Sequence, residues 1–363
     1  MSDPERILIV RLSHLGDVVC SLGVFHALHR AFPRAAIGWA IQPEFAELVE
    51  GLPGLARAFR FERRGGWRAW PRIRRELRSF RPDLTVDAQG NLKSALITLL
   101  SGARRRAGFA RADWRERIGS LVLNDPAPET PLAAGVARAR LHPLERVRTL
   151  VRHLASAPDE PRTDPALTDL ELDAGREELT RLLARASSGA PPVLCHLSPS
   201  EDVRGWPASR WSELLARLRA EDRPVLVLSG PRETELGLRL QREHPDGADL
   251  VHRVGQRGLR RLAALFHAAG ELGGTFVGCD SGPMHLAWAS GLSVRVLEGP
   301  ESARRTGPWP ATYASRSPHV EVRARVTPSC APCLARACTH AEGPVCMSAI
   351  AADDVLAALA SRE

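Results

Sequence analysis

Short apolar runs alternate with amphipathic segments along most of the chain, and a polar cluster marks each junction. Ile7-Leu8-Ile9-Val10 reads as a central strand, because a strand covered on both faces needs no polar alternation. Val18, Val19, Leu22, Phe25 and Leu28 then follow helical spacing, and the helix ends before Pro33. Ala36 to Ile41 supplies a second strand and completes a βαβ unit. Trp70, Ile73, Leu77 and Phe80 lie on one side of an amphipathic helix over Trp67–Phe80, with arginines around them. Such a stripe serves packing on a sheet or docking on a membrane. Asp83–Asp87 is the next strand, and Ala88-Gln89-Gly90-Asn91-Leu92-Lys93-Ser94 is a polar turn into another helix. Residues 126–140 read as a Pro- and Ala-rich loop, followed by a helix from Leu141 to Leu154.

The second half repeats the pattern. Strands are predicted at 193–197, 224–229, 249–252, 273–278 and 292–297, with helices at 208–220, 232–242, 258–269 and 283–290. Strands alternating with helices in both halves predict an α/β protein of two Rossmann-like, doubly wound domains. The first spans 1–156 and the second 193–346, with a cysteine-rich tail at 330–346 and a last helix in 347–363. Residues 157–192, with five prolines and a helix at Ala174–Ala186, read as the connection.

Composition adds a soluble, globular class: 44% hydrophobic, 25% charged, and no apolar run of the ~18 residues a membrane span requires. The start, Met1-Ser2-Asp3-Pro4-Glu5-Arg6, is short and charged and does not read as a signal peptide. Charge is uneven. Residues 1–160 hold 26 basic and 17 acidic residues against 24 and 25 in the rest, and residues 57–117 alone carry 17 against 6. Such a face attracts anionic lipid, phosphorylated glycans or nucleic acid. Arginine supplies 49 of the 50 basic residues, so part of this is compositional background.

The chemistry gathers where strands end. Gly273-Gly274-Thr275-Phe276-Val277-Gly278-Cys279-Asp280-Ser281-Gly282-Pro283-Met284-His285 reads as a strand turning directly into a helix. Asp280 or Ser281 caps that helix and Pro283 fits its first turn. A helix N-terminus there is an anion site, and Asp280, Ser281, Gly282 and His285 suit a sugar and a diphosphate. Ser198, Ser200 and Arg204 follow an earlier strand and suit phosphate oxygens, and Glu233 after the next strand suits a sugar hydroxyl. In the first half, Asp17 opens a helix after the first strand, where a carboxylate can take a proton from a hydroxyl. The loop before it has one glycine and lacks Gly-x-Gly-x-x-Gly, which counts against NAD or FAD. The plain reading of each acid is a helix-start residue, and of each loop a solvated turn.

Cys20, Cys195 and Cys279 stand in apolar or turn contexts and read as buried, reduced thiols. Cys330-x2-Cys333-x4-Cys338-x7-Cys346 has a spacing that suits a structural zinc, the alternative being free thiols in a knuckle-like loop.

Taken in order, these segments resemble glycosyltransferase family 9, the lipopolysaccharide heptosyltransferases. The resemblance runs through ILIVRLSHLGDVV at 7–19, DAQGNLKSA at 87–95, RGWP at 204–207, GPRE at 230–233, CDSGPMHLAWASG at 279–291 and EGPESARRTGPW at 298–309. It implies a GT-B fold, two domains facing a cleft, and inverting transfer of heptose from ADP-heptose to the lipopolysaccharide inner core, on lipid A-Kdo or an already heptosylated core. It implies Asp17 as general base and Ser200, Arg204, Glu233, Asp280, Ser281, Gly282 and His285 as donor-binding residues, and Ser198 joins them by its place in the same loop. Arg204 stands where members often have lysine. His14, Gln89 and Lys93, the one lysine, fall on the acceptor side. With no Asp-x-Asp motif in these loops, no metal is expected in catalysis. The expected partners are ADP-heptose, an acidic glycolipid and the anionic inner leaflet, not nucleic acid, with the protein cytoplasmic and peripheral at the inner membrane. Two rivals carry other functions: a GT-B nucleotide-sugar epimerase, and a basic nucleic-acid-binding protein with a four-cysteine knuckle.

Overall fold

Each half of the chain builds a six-stranded, all-parallel sheet, and the two sheets have the same strand order. The computed structural model describes residues 3–132, 137–138, 141–155, 161–184, 188–198, 202–244, 251–253, 258–310 and 317–361, with 63, 64 and 251–253 described by backbone alone. The chain divides between Ala166 and Leu167.

The first unit runs β1 (Arg6–Val10), α1 (Leu15–Ala31), β2 (Ala36–Ile41), α2 (Pro43–Glu50), β3 (Leu55–Arg60), α3 (Ala69–Phe80), β4 (Leu84–Asp87), α4 (Leu92–Ser101), β5 (Arg105–Gly108), β6 (Asp125–Pro126) and α5 (Pro143–Ala155). Its strand order is β3-β2-β1-β4-β5-β6. The order reverses between β1 and β4, paired from Ile7↔Leu84 to Val10↔Asp87. Ile7, Leu8, Ile9 and Val10 are fully buried, as a strand covered by helices on both faces requires. Helix α3 gives Ile73 and Leu77 to the core and sets Trp70 against Phe61 and Phe80 against Phe59. It starts at Ala69, two residues later than the periodicity predicts, because Arg63–Arg68 forms a 3-10 segment kinked at Gly66.

The second unit runs α6 (Asp169–Leu183), β7 (Val193–His196), α7 (Ala208–Ala220), β8 (Val225–Ser229), α8 (Thr234–Glu243), β9 (Val251–Arg253), α9 (Leu259–Glu271), β10 (Thr275–Cys279), α10 (Gly282–Ala289), β11 (Ser293–Leu297), α11 (Ala303–Thr306), β12 (Val320–Val322), α12 (Val345–Ser348) and α13 (Ala352–Ala360). Its order is β12-β11-β10-β7-β8-β9, and its reversal lies between β7 and β10. Trp206 and Trp211 meet edge to face at 4.8 Å, and Trp206 Nε1 donates to the Ile350 carbonyl at 3.1 Å. Met347, Ile350, Val355 and Leu359 therefore complete the core beside α7.

Two boundaries move. Helix α6 lies within the stretch expected to connect the domains, yet it packs along α9 as part of the second unit. A Cβ at Gly175 would stand 2.5 Å from the Ala264 carbonyl oxygen, so that approach requires glycine. The helix also starts five residues earlier than read, at Asp169, because Thr168 and Glu171 form a capping box. The final helix is two, α12 and α13, with Asp354 accepting from the Ala351 amide at 2.9 Å where the second begins.

Candidate active-site residues

In open α/β sheets ligands bind beyond the carboxyl ends of the strands, where the strand order reverses. The predicted chemistry of each unit falls at that point.

In the first unit β1 leads through Arg11 into α1, whose first turn carries Asp17. Arg11 is buried and its Nη2 pairs with Asp17 Oδ2. The same guanidinium donates from Nη1 to the Ala88 carbonyl at 2.8 Å, reaching the end of β4. Asp17 keeps about a third of its side chain exposed, at 33%, so a hydroxyl can approach it. His14 Nδ1 stands 3.8 Å from Asp17 Oδ2 on a side chain 80% exposed. Its backbone has φ 66° and ψ 112°, a region L-residues avoid. Gln89 is partly committed to the scaffold: its Oε1 accepts from the Leu12 amide at 2.6 Å. Asp87 accepts from the Gln89 and Gly90 amides at 2.9 Å each, and burial raises its pKa. Lys93 is exposed on the first turn of α4 and makes no described contact with Asp17.

In the second unit Gly278 pairs with His196 and Cys279 with Leu297. Ser198, Asp280 and Glu298 therefore leave the sheet side by side. Asp280 is held on both oxygens: Thr306 Oγ1 donates to Oδ2 at 3.0 Å, and His285 Nε2 lies 3.5 Å from Oδ1. His285 Nδ1 accepts from Trp288 Nε1 at 3.3 Å, which directs its Nε2–H at Asp280. Ser281 is the N-cap of α10 without a capping bond, and its buried hydroxyl has no partner among the described residues. That hydroxyl and the N–H groups opening α10 at Gly282 form an anion-binding end.

Arg204 points at the same place. Its Nη1 donates to the Asp280 carbonyl at 3.2 Å and lies 3.8 Å from Asp280 Oδ2. Asp202 grips the other side in a two-pronged pair, 2.9 and 2.8 Å, which raises the arginine pKa and lowers that of Asp202. Glu233 is buried in the turn after β8 and folds back over Gly230, where a Cβ would stand 2.4 Å from its Oε2. Ser198 differs from the expectation of a free phosphate ligand. Its hydroxyl accepts from the Trp206 amide at 3.3 Å and lies 3.4 Å from Cys279 Sγ. Ser200 lies outside the described residues.

Sequence reasoning missed Arg11, Asp202, Glu298, Glu301 and Thr306. Glu298 is 2% exposed, and neither carboxylate oxygen has a partner among the described residues. Burial first, then the Asp280 charge, pushes its pKa well above that of an ordinary glutamate. Glu301 is raised for the same two reasons, while Arg305 pairs with it at 3.1 Å. The signal was the polar run EGPESARRT, which is too charged for a plain strand-to-helix turn.

Cys20, Cys195 and Cys279 are buried free thiols, and burial raises Cys195 and Cys279 to about 12. Cys330, Cys333 and Cys338 are exposed, Cys346 is buried, and Cys338 Sγ donates to the Gly343 carbonyl at 3.2 Å. Among the described residues no three His, Cys, Asp or Glu side chains stand together as a metal site, so the thiols as arranged do not form a cage.

The sequence profile described as Glycosyltransferase family 9 (heptosyltransferase) matches residues 70–340. Lipopolysaccharide heptosyltransferase 1 of Pseudomonas aeruginosa is 31% identical over 345 residues, covering 92% of this chain and 88% of its own length. Among solved structures, a family 9 glycosyltransferase from Veillonella parvula superposes with a TM-score of 0.73 at 15% identity, covering 98% of this chain and 95% of its own. Escherichia coli heptosyltransferase WaaC with ADP-2-deoxy-2-fluoro heptose superposes with a TM-score of 0.68 at 20% identity, covering 98% of each chain. These two likenesses bear on the fold, which is of the GT-B type. By the profile match and the Pseudomonas relative, the chain belongs to glycosyltransferase family 9, the heptosyltransferases.

Proposed function

We propose that this protein transfers heptose from ADP-heptose to the lipopolysaccharide inner core. The observation that carries the reading is the set in the second unit: an unpartnered Ser281 hydroxyl, the start of α10 and the Arg204 guanidinium converge around Asp280. That set suits a nucleotide diphosphate without a metal. The relatives named for heptosyltransferase activity, one held with an ADP-heptose analogue, supply the sugar.

In the proposed reaction Asp17 takes the proton of the acceptor hydroxyl as its oxygen bonds to the anomeric carbon. The bond from that carbon to the diphosphate oxygen breaks, the centre inverts, and ADP leaves with the electron pair. Arg204, Ser281 and the α10 N-terminus meet the charge that develops on the diphosphate. Arg11 holds the Asp17 carboxylate, and Thr306 and His285 hold Asp280. Glu233 is the candidate for the ribose hydroxyls. Lys93, His14 and the free amide of Gln89 are candidates for the acceptor.

The protein would work as a peripheral one at the inner face of the inner membrane. Supporting this, no helix among the described residues is long and apolar enough to cross a membrane, and the first unit is basic. A structural zinc at Cys330, Cys333, Cys338 and Cys346 is a separate proposal that rests on spacing alone and needs the thiols to close up. The test of function is ADP release from ADP-heptose with and without an inner-core acceptor. Release that requires the acceptor and yields a heptosylated lipid is the expected result. Consumption of ADP-heptose without acceptor would point to the epimerase instead.

A further inference from the structure

Helix α4 is built inside out. Its buried face holds Ser94, Ala95, Thr98 and Ser101 beside a single large apolar residue, Ile97. The hydroxyls on that face are spent on the sheet: Thr98 Oγ1 on Asp87 at 3.3 Å and Ser101 Oγ with Thr85 at 2.9 Å. The exposed face carries Leu92, Leu96 and Leu99, which are 51%, 40% and 50% exposed. Positions i, i+4 and i+7 lie in one line on a helix, so the three leucines form a stripe facing solvent.

The stripe continues onto the neighbouring 3-10 turn, Arg117–Val122. Gly119 of that turn sits against α4, since a Cβ there would meet the Ala95 Cβ at 3.3 Å, and the Leu92 amide donates to Glu116 at 3.2 Å. Ile118 and Leu121 on the turn are 66% and 67% exposed. Five of the eleven large exposed hydrophobics among the described residues thus belong to these two adjacent elements. Around them Lys93, Arg111 and Arg117 are exposed and make no ion pair among the described residues, while Glu116, the N-cap residue of the turn, is engaged by Leu92 and Arg115. A solvated surface has no use for five large apolar side chains in one place. Helix α3, the other amphipathic candidate, has its stripe packed into the core and leaves only Trp67 beside it exposed.

We infer that the α4 stripe and the Arg117–Val122 turn form the surface that dips into an anionic bilayer, the leucines entering the acyl boundary and the basic residues meeting the headgroups. The charge selects the occupant: a free cationic rim around an apolar centre matches anionic lipid and would repel a second copy of itself. The inference rests on the proposed lipid-linked acceptor for its purpose, and its test is independent of that reading.

The test is co-sedimentation of the full chain with phosphatidylethanolamine–phosphatidylglycerol vesicles and with phosphatidylcholine vesicles. The chain should bind the anionic vesicles, and the binding should weaken with salt. L96D/L99D and I118D/L121D should each lower partitioning by tenfold or more. Both should keep the wild-type melting temperature and its rise with ADP, because the altered residues are exposed. Turnover on acceptor in vesicles should fall in both variants while turnover on detergent-dispersed acceptor stays. Unchanged vesicle binding in both would overturn the inference. So would a dimer in sedimentation that the aspartates disperse without altering vesicle binding. Intact vesicle binding with no ADP-induced stabilisation would instead sink the proposed function and leave the surface standing.

Discussion

Arg11 holds Asp17 from beneath with one amino group and the end of β4 with the other. One buried cation therefore fixes the candidate base relative to the strand pair at which the first sheet reverses. Asp17→Asn should lower kcat by roughly 10²–10⁴ with donor affinity nearly unchanged, as for a lost general base. Arg11→Met should cost about 10–100-fold through misplacement of the carboxylate, with partial recovery in Arg11→Lys. Single-turnover rates and donor Kd values for all three separate these outcomes. Near-normal turnover in Asp17→Asn would remove it as the base.

Asp280 should behave differently, because its neighbours bind rather than react. Asp280→Ala removes the acceptor of Thr306 and the partner of His285, and should weaken donor binding by about 1–3 kcal/mol. Thr306→Val deletes only the hydrogen bond that orients the acid, and should cost about 0.5–1.5 kcal/mol in the same assay. Calorimetric titration with ADP reads both. A Thr306→Val protein with unchanged affinity would show that the Thr306 hydrogen bond does not position Asp280 for the donor.

Glu298 makes stability depend on pH. Its pKa in the folded protein is raised, so its contribution is fully present below the ordinary glutamate pKa of about 4.3 and is lost as pH rises through the raised value. Glu298→Gln keeps a neutral group there at every pH. Relative to the variant, the wild type should lose stability as pH rises above the ordinary glutamate pKa, with a constant difference below about pH 4. Urea midpoints across that range check the sign, and a pH-independent difference would mean Glu298 takes up no proton on folding.

The cysteines give a yes-or-no measurement. Elemental analysis of protein purified without added metal should find about one zinc per chain, with Cys333→Ser losing it. Four titratable thiols and no metal would leave the spacing without a ligand.

The parallel strands and the acids at their ends were legible because each carries a local signature. Ile7-Leu8-Ile9-Val10 can only be buried, and Asp280 stands just before a helix that Pro283 announces. What escaped depends on contacts across the sheet. β3, with the sequence Leu-Ala-Arg-Ala-Phe-Arg, hides behind two arginines because it is an edge strand with one wet face. Arg105 and Arg106, within the stretch read as an acidic-partner face, instead hold the other edge. Arg105 pairs with Asp125 at 2.6 Å, and Arg106 donates to the Val122 and Ala103 carbonyls. Gln89 and Ser198 look like ligands in sequence because a polar side chain that ties loop to loop has the same composition as one that ties loop to substrate. Arg11 reads as a strand-end residue until its partner six positions later comes back beside it.

His14, the N-cap residue of α1, holds φ at 66°, and its imidazole makes no capping bond and is mostly in solvent beside Asp17. A non-glycine residue in such a region costs on the order of 1–3 kcal/mol, and glycine would relieve it. Stability and the site therefore pull this position in opposite directions. A library selected for heat resistance alone should drift to glycine at residue 14, and one selected for turnover should not if the ring meets the acceptor. The identity that survives each selection reports what the histidine is for, without any need to capture the acceptor in place.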